Sequence, residues 1–179
     1  MAFLTYAAAS RLGKELTEAR FEKSASAATA PKDVFVAHAT LDSQHLRGIA
    51  RILVGHFASY YIDKLDSLLP LLTSTKTAEM LADRIATSRR LVVVVAKHSA
   101  QSRWVPWELG LAHGILGAKC AATLPIATLS EEQPWARQEY LGLYPQITWH
   151  EGKQRWIVTD PADGRYWSLA SWIRADTLD

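Results

Sequence analysis

The sequence predicts an α/β fold in which helices cover both faces of a central, mostly parallel sheet of five strands. From residue 32 onward, short apolar runs alternate with longer stretches of helical periodicity, which is the pattern of βαβ units. Residues 91–95 are apolar at every position, so this strand needs a covering layer on each face. With 179 residues, 49% of them hydrophobic, the chain is long enough to form one domain with a substantial core.

A predicted amphipathic helix opens the chain at residues 3–23, where apolar side chains recur at helical spacing between charged ones. Small and polar residues follow as far as Pro31 and are typical of a linker. We therefore expect an N-terminal helix and linker at residues 1–31 and a main domain at residues 32–179. The helix could pack on its own domain or on a second copy of the chain.

The main domain begins with a predicted strand at residues 33–38. Asp42 or Ser43 could cap the helix that follows, and residues 60–62 predict a second, weaker strand. Thr77 could cap the next helix, which leads into the fully apolar third strand.

The helix after the third strand is predicted to begin close to Pro106, because proline favours the first helical position. Ser102 is the expected cap of this helix, since its hydroxyl can accept a bond from a free backbone N–H. Trp107 is expected to anchor the helix in the core.

The last third of the chain supplies the remaining elements. Residues 121–127 and 147–149 predict the fourth and fifth strands, and residues 155–158 a short edge strand. A closing helix is expected at residues 166–174, with Asp163 as its cap.

Composition excludes several classes of function. The formal net charge of +2 comes from 20 basic and 18 acidic residues spread along the chain, whereas a nucleic-acid surface needs clustered basic residues. Cys120 is the single cysteine, which excludes an internal disulfide and fits a reducing compartment. The chain has no signal-peptide pattern and no run of about 20 apolar residues. We therefore expect a cytoplasmic protein that binds neither nucleic acid nor membranes.

Motifs for cofactors and metals are missing from the sequence. The first strand is not followed by G-x-G-x-x-G, and no G-x-x-x-x-G-K-[ST] occurs, so neither a Rossmann dinucleotide site nor a P-loop is predicted. The six histidines include no i, i+4 pair, so the sequence does not predict a zinc site. We expect no metal and no bound cofactor.

Glu108 is the residue best placed for chemistry. Ligands of open parallel sheets bind beyond the carboxyl ends of the strands, and Glu108 lies in the first turns of the helix that follows the third strand. A glutamate is also common there for a purely structural reason, because the helix dipole favours a negative charge. The residues alone leave both interpretations open, and the dipole predicts that the carboxylate stays ionised.

Three features resemble the Toll/interleukin-1 receptor (TIR) domains, and in particular bacterial stand-alone members of that family. The segment DVFVAHATLD at residues 33–42 is similar to the opening strand and loop of the family. The segment LVVVVAKHSAQSRWVPWELG at residues 91–110 is similar to its third strand and its Ser-x-Trp-x-x-x-Glu-Leu motif. The order of elements over residues 32–174 is that of the TIR fold, a flavodoxin-like three-layer sandwich.

The resemblance implies an enzyme that takes NAD+ as its substrate and uses Glu108 as the catalytic carboxylate, with Trp104 shaping the pocket. One carboxylate is chemically sufficient, because nicotinamide leaves NAD+ as a neutral molecule and needs no general acid. Trp104 could equally be a core or interface residue.

Further substrate-binding residues are implied in the loops after the first and third strands, where backbone amides could also receive a phosphate. These candidates are His38, Ala39, Thr40, Asp42, Lys97 and Ser99. A structural role, such as helix capping by Asp42 or packing of His38, is an open alternative for each. Residues 64–70 resemble the BB loop of the family in position and in their proline, but lack its glycine-rich, charged character.

The implied function is that of an NAD+ nucleosidase releasing nicotinamide and linear, cyclic or conjugated ADP-ribose, in bacterial anti-phage defence. Self-association through TIR contacts and a separate effector or sensor protein are the implied partnerships. The main alternative is a non-enzymatic TIR adaptor that acts by homotypic contacts, favoured by the N-terminal helix and the late tryptophans. Another flavodoxin-like enzyme acting on nucleosides is a third possibility. The paired Trp104 and Glu108 favour the NAD+-cleaving enzyme.

Overall fold

The computed structural model of the protein describes residues 1–25, 30–70, 72–128 and 139–178. Across these residues one mixed sheet has eight strands. In chain order they are β1 (Leu4–Thr5), β2 (Lys32–Ala37), β3 (Tyr60–Tyr61), β4 (Ser88–Val95), β5 (Ala121–Ala127), β6 (Gln146–His150), β7 (Arg155–Thr159) and β8 (Tyr166–Ser168).

The spatial order of the strands is β3-β2-β4-β5-β6-β7-β8, and β1 pairs with β5 outside this path. The five strands from β3 to β6 run parallel, whereas β7 and β8 are antiparallel additions. The predicted mostly parallel sheet of five strands is therefore confirmed as the centre of a larger sheet.

Six α-helices pack on this sheet within the described residues. They are α1 (Tyr6–Glu15), α2 (Glu18–Ala25), α3 (Leu46–Gly55), α4 (Thr75–Ala86), α5 (Trp104–Leu116) and α6 (Leu169–Arg174). None of these described helices has the length and apolar character needed to cross a bilayer.

The side chains of β4 alternate between two apolar layers. Val92 and Val94 contact the layer that contains α1, α2, α3 and α6. Leu91, Val93 and Val95 contact the layer that contains α4 and α5. All five are buried, which confirms that helices cover this strand on both faces and gives the three-layer sandwich.

The N-terminal prediction of one helix over residues 3–23 is wrong in detail. The structure has β1 first, then α1 and α2, with a break at Leu16, whose backbone is extended. The carbonyl oxygen of Leu16 accepts a hydrogen bond from the guanidinium of Arg47, so tertiary contact supports the break. Part of the predicted linker, residues 26–29, lies outside the described residues.

The N-terminal segment packs on its own domain. Its α1 lies so close to α3 that a Cβ atom at Gly48 would collide with the carbonyl oxygen of Ala9. Glycine is therefore required at this crossing. Leu4, Ala9 and Leu16 are buried in the same layer as α3, so these apolar side chains contact the chain's own domain.

Several predicted helix starts need correction. Residues Thr40–His45 form a 3₁₀ turn, so α3 begins only at Leu46, and Asp42 is buried instead of capping a helix. Ser74 is the cap of α4, and the predicted cap Thr77 completes a capping box with it.

The start of α5 also differs from its prediction. The helix begins at Trp104, two residues before Pro106, and the Ser102 hydroxyl accepts the Val105 N–H at 3.2 Å, as expected of a cap. Trp107 is 38% exposed and does not anchor the core. Nearly every side of α5 is apolar, so periodicity could not identify the buried face, which contains Val105 and Leu109.

The predicted closing helix over residues 166–174 is divided. Its first three residues form β8, where Trp167 pairs with Val158 of β7, because tyrosine and tryptophan fit a pleated surface well. The remaining residues form α6, which is capped by the Ser168 hydroxyl through the Ser171 N–H at 3.0 Å. Asp163 accepts the Arg165 N–H within the preceding turn instead.

Candidate active site at the carboxyl edge of the sheet

Three ionisable side chains from separate parts of the sequence meet at the carboxyl edge of the sheet. His38 directly follows β2, Asp63 lies two residues after β3, and Glu108 lies on α5. The His38 Nδ1 and Asp63 Oδ1 atoms are 3.5 Å apart, and Asp63 acts electrostatically on both His38 and Glu108. We call these three residues the edge cluster.

Glu108 is the most deeply placed member of the edge cluster. It is 2% exposed, on the face of α5 that packs against the sheet. Burial, followed by the negative charge of Asp63, raises the pKa of Glu108 to about 8. Within the described residues, no hydrogen-bond donor contacts its carboxylate.

The prediction that the helix dipole keeps Glu108 ionised is therefore wrong for the free protein at neutral pH. A dipole contributes about 1 kcal/mol or less at a helix terminus. The shift from 4.5 to about 8 corresponds to several kcal/mol in the opposite direction. Desolvation dominates because only 2% of Glu108 is exposed to solvent.

His38 is buried beside Asp63 and adds no fixed positive charge to the cluster. Burial lowers the pKa of His38, and the opposing effect of the Asp63 charge does not reverse this. Its Nδ1 atom is buried and has no hydrogen-bond partner in the described part of the chain. A neutral imidazole thus lies next to Asp63.

A second polar contact joins the loops after β2 and β4. Asp42 is 1% exposed and accepts two hydrogen bonds from His98, one from the backbone N–H at 3.1 Å and one from the ring Nδ1 at 2.8 Å. Both loops belong to neighbouring parallel strands, so their ends meet at the same edge. The structure therefore brings Asp42 to the loop that contains Lys97 and Ser99.

The other predicted binding residues differ in whether their side chains are exposed to solvent. Ala39 is buried, whereas the Thr40 and Lys97 side chains are exposed near the same edge. Ser99 is turned into its own loop, where its hydroxyl accepts the Ala96 N–H at 2.7 Å and donates to the Val94 carbonyl at 2.9 Å. The hydroxyl of Ser99 therefore closes the loop.

Trp104 lies one helical turn before Glu108 and is half-buried. Its ring packs edge-on against Trp107, with 5.2 Å between the ring centroids. The two indoles lie on the first turn of α5, where Trp104 also packs against the apolar layer that contains Val105 and Leu109.

The BB-like loop is held at its base by Asp66. This buried carboxylate accepts hydrogen bonds from the Tyr61 hydroxyl at 2.8 Å and the Leu68 N–H at 2.9 Å, and it forms an ion pair with Arg84 at 3.4 Å. Lys64 donates to the Ser43 hydroxyl at 3.0 Å and so links this loop to the loop after β2.

Sequence reasoning missed Asp63. The signal was available, since this residue follows the predicted strand at residues 60–62 directly and ends of parallel strands meet at one edge. Among the residues that the structure describes, no group of three or more histidine, cysteine, aspartate or glutamate side chains is arranged to hold a metal ion.

Comparison with known proteins gives two matches. A sequence model described as "TIR domain" matches residues 34–156 of the chain. The protein named "Probable 3' cyclic ADP-D-ribose synthase ThsB'" from Bacillus cereus (strain MSX-D12) is 30% identical over 147 residues. That alignment covers 79% of this chain and 75% of the relative.

Proposed function

The chain belongs to the TIR domain family, and from that premise we propose that it cleaves the bond between nicotinamide and ribose in NAD+, with Glu108 as the catalytic carboxylate. The observation that carries this proposal is the burial of Glu108 beside Asp63 at the carboxyl edge, one turn after Trp104. A carboxyl group that is buried beside a second acid and accepts no hydrogen bond is destabilising, so a functional reason is needed to explain Glu108. The name of the relative adds support, since a cyclic ADP-ribose synthase acts on the same class of nucleotide.

The chemistry needs only one anion near the reacting carbon. The bond between ribose C1′ and the pyridinium nitrogen breaks, the electron pair moves to nitrogen, and nicotinamide leaves neutral. A positive charge develops on the ribosyl centre, and a nearby carboxylate in a dry site stabilises this charge strongly. Attack by a hydroxyl of the same molecule gives a cyclic product, attack by water gives ADP-ribose, and in both cases the attacking oxygen loses its proton to solvent. The name of the relative favours the cyclic product.

Because the pKa of Glu108 is raised, ionisation of its carboxyl group depends on whether NAD+ is bound. At neutral pH most molecules of the free protein have a neutral Glu108. The pyridinium of NAD+ brings a positive charge into the site, which favours the ionised carboxylate. Binding of NAD+ is therefore coupled to release of a proton, and the anion forms where the cationic bond is cleaved.

Three of the remaining predicted residues would contact the rest of the nucleotide. Trp104 offers an aromatic face, and Thr40 and Lys97 are the exposed polar groups of the two loops at this edge. Asp42 and Ser99 act on loop geometry, and His38 lies next to Asp63. We place the protein in bacterial defence against phage, acting with copies of itself and with a separate effector that responds to the product.

Packing of the N-terminal segment weakens the adaptor alternative. An amphipathic helix favours an adaptor only if its apolar side is free to dock on a partner. Here Leu4, Ala9 and Leu16 are buried against the chain's own sheet and α3.

Glu108→Gln is the test of the proposed activity. Nicotinamide release should fall by about 10²-fold or more, because the amide has nearly the same shape but cannot carry the stabilising charge. Glu79→Gln is the matched control, since Glu79 is an exposed glutamate on the neighbouring α4, and it should leave turnover unchanged. The assay is run at high protein concentration, with mass spectrometry of the products. Equal turnover in wild type and Glu108→Gln would contradict the catalytic assignment.

A further inference from the structure

The N-terminal segment lies between two strands that separate towards the carboxyl edge. The strands β5 and β6 pair with each other only at Thr123 and Gln146. Beyond that point β1 pairs with the end of β5, in register with residues 126–127. Ala2 exchanges two backbone hydrogen bonds with Trp149 of β6, both at 2.8 Å. The segment thus extends the sheet at the carboxyl end of β5, on the same edge of the sheet as the edge cluster.

Tyr6 extends from this segment to the loop that follows β4. Its hydroxyl oxygen accepts the backbone N–H of Lys97 at 2.9 Å. Its ring packs against His45, with 4.9 Å between the ring centroids. Tyr6 therefore contacts both the turn after β2 and the loop after β4.

The bond from Lys97 is one of four that fix consecutive backbone groups of this loop. Each backbone N–H from residue 96 to residue 99 donates a hydrogen bond. The acceptors are Ser99 Oγ for Ala96 (2.7 Å), the Tyr6 hydroxyl for Lys97 (2.9 Å), Asp42 Oδ2 for His98 (3.1 Å) and the Ala96 carbonyl for Ser99 (3.2 Å). Two of the four acceptors are side chains from distant parts of the chain.

This loop, which includes the 3₁₀ turn Ser99–Gln101, leads from β4 to α5, whose first residue is Trp104 and whose second turn contains Glu108. The loop therefore sets where the chain enters α5, four residues before Glu108. A catalytic group that is displaced by even about 1 Å loses much of its effect. The family match begins at residue 34, so Tyr6 lies outside the part of the chain that it covers.

We infer that Tyr6 is a positioning residue of the active site, which holds the β4–α5 loop through its hydroxyl and so sets the place of Glu108. The N-terminal segment is then a structural part of the catalytic centre. This inference rests on the proposed function for its effect on turnover, but its effect on the loop can be measured independently.

The experiment compares Tyr6→Phe with Tyr60→Phe. Both changes remove one tyrosine hydroxyl that connects the N-terminal segment with the rest of the domain, because the Tyr60 hydroxyl donates to the Phe21 carbonyl of α2 at 3.0 Å. Only the Tyr6 hydroxyl reaches the loop after β4. Thermal unfolding establishes a temperature at which both variants are fully folded.

Tyr6→Phe should lower kcat for nicotinamide release by about fivefold, as expected for the loss of one hydrogen bond, with a smaller change in KM. Amide hydrogen exchange should become faster at Lys97 and through the first turn of α5. Tyr60→Phe should change neither kcat nor exchange at these amides. A similar fall in kcat for both variants, or an unchanged kcat in an active Tyr6→Phe protein, would overturn the inference.

Hydrogen exchange separates this inference from the proposed function. If the wild type does not cleave NAD+, or if Glu108→Gln is as active as wild type, the proposed function fails. Faster exchange that spreads from Lys97 into α5 would still support the positioning role of Tyr6. Faster exchange confined to Lys97 would overturn it, because α5 would then be held independently of this bond.

Discussion

Two buried ionisable side chains near β4 have opposite surroundings. Arg90, near the start of the strand, is 4% exposed and donates to the carbonyls of Trp172 at 2.7 Å, Ala175 at 2.6 Å and Arg89 at 2.7 Å. Its guanidinium also lies 5.4 Å from the centre of the Trp172 ring. Glu108, at the other end, is as deeply buried but lies beside a second acid.

The difference separates a structural charge from a functional one. Arg90 satisfies the free carbonyls at the end of α6 and so attaches that helix to the sheet. Glu108 gains nothing comparable from its surroundings and is held mostly as a neutral acid. A buried group with its partners supplied stabilises the fold, whereas a buried group without them is kept for chemistry.

The largest expected effect is the loss of stability when Arg90 is replaced. Arg90→Met should lower the free energy of unfolding by about 3 kcal/mol, because the buried Trp172 carbonyl and the partly buried Ala175 carbonyl lose their donor. Urea unfolding followed by circular dichroism measures this change. Turnover of NAD+ per folded molecule should stay at the wild-type value, and a selective loss of turnover would remove the distinction between the two groups.

Glu108→Gln should act on stability in the opposite direction, and increasingly so at higher pH. The pKa of Glu108 is about 8 in the folded protein, well above its ordinary value of 4.5, so the folded state holds the proton more tightly. The free energy of unfolding of the wild type therefore falls as pH rises between these values. The variant has no such titrating group, so its free energy of unfolding does not fall in this way. Relative to the wild type, it should rise by about 2 kcal/mol or more between pH 5 and pH 8. A constant difference across this range would show that Glu108 is ionised in the folded state.

The pH dependence of turnover tests which charge state of Glu108 is active. If the ionised form of Glu108 is required, kcat/KM of the wild type should rise with pH and level off above about pH 8. The ionised fraction for such a pKa increases by about tenfold between pH 7 and pH 9. Initial rates of nicotinamide release across this range provide the measurement. A rate that falls over the same interval would indicate that the neutral acid is the active form.

The smallest expected effect is the change in the pH profile of kcat/KM when Asp63 is replaced. Asp63→Asn removes a negative charge that raises the pKa of Glu108, so the rise of kcat/KM should move to lower pH. A shift of half a pH unit would increase kcat/KM at pH 7 by about threefold. Asp83→Asn, at an exposed position of α4, is the control and should leave the profile in place. An unchanged profile in Asp63→Asn would make burial the sole cause of the raised pKa.

Elements with a strong local signal could be predicted from the sequence. The strand at residues 121–127 has the predicted bounds, and the apolar run at residues 91–95 lies inside β4. The division of residues 3–23 could not be predicted, because the break at Leu16 depends on the Arg47 side chain of a later helix. The same limit applies to β8, whose pairing partner β7 provides the reason for its extended backbone.

For the candidate site, the sequence predicted which residue to consider but not its charge state. Glu108 could be found because its place after an apolar strand is local information. Its protonation depends on burial and on Asp63, which is far away along the chain. Tyr6 gave no signal at all, since its partner Lys97 is 91 residues away. Contacts of this kind become visible only when the fold is known.

The place of β1 in the sheet also decides which piece of the chain can be studied alone. A fragment cut at the family match, residues 34–156, would lack β1 and would end inside β7. The last residues of β5 pair with β1 and not with β6. Without β1, their backbone N–H and C=O groups on that side would have no hydrogen-bond partner. Exposed strand edges of this kind pair with other molecules, so such a fragment should aggregate. The folding unit is thus larger than the module by which the family is recognised, and expression should start at the first residues of the chain.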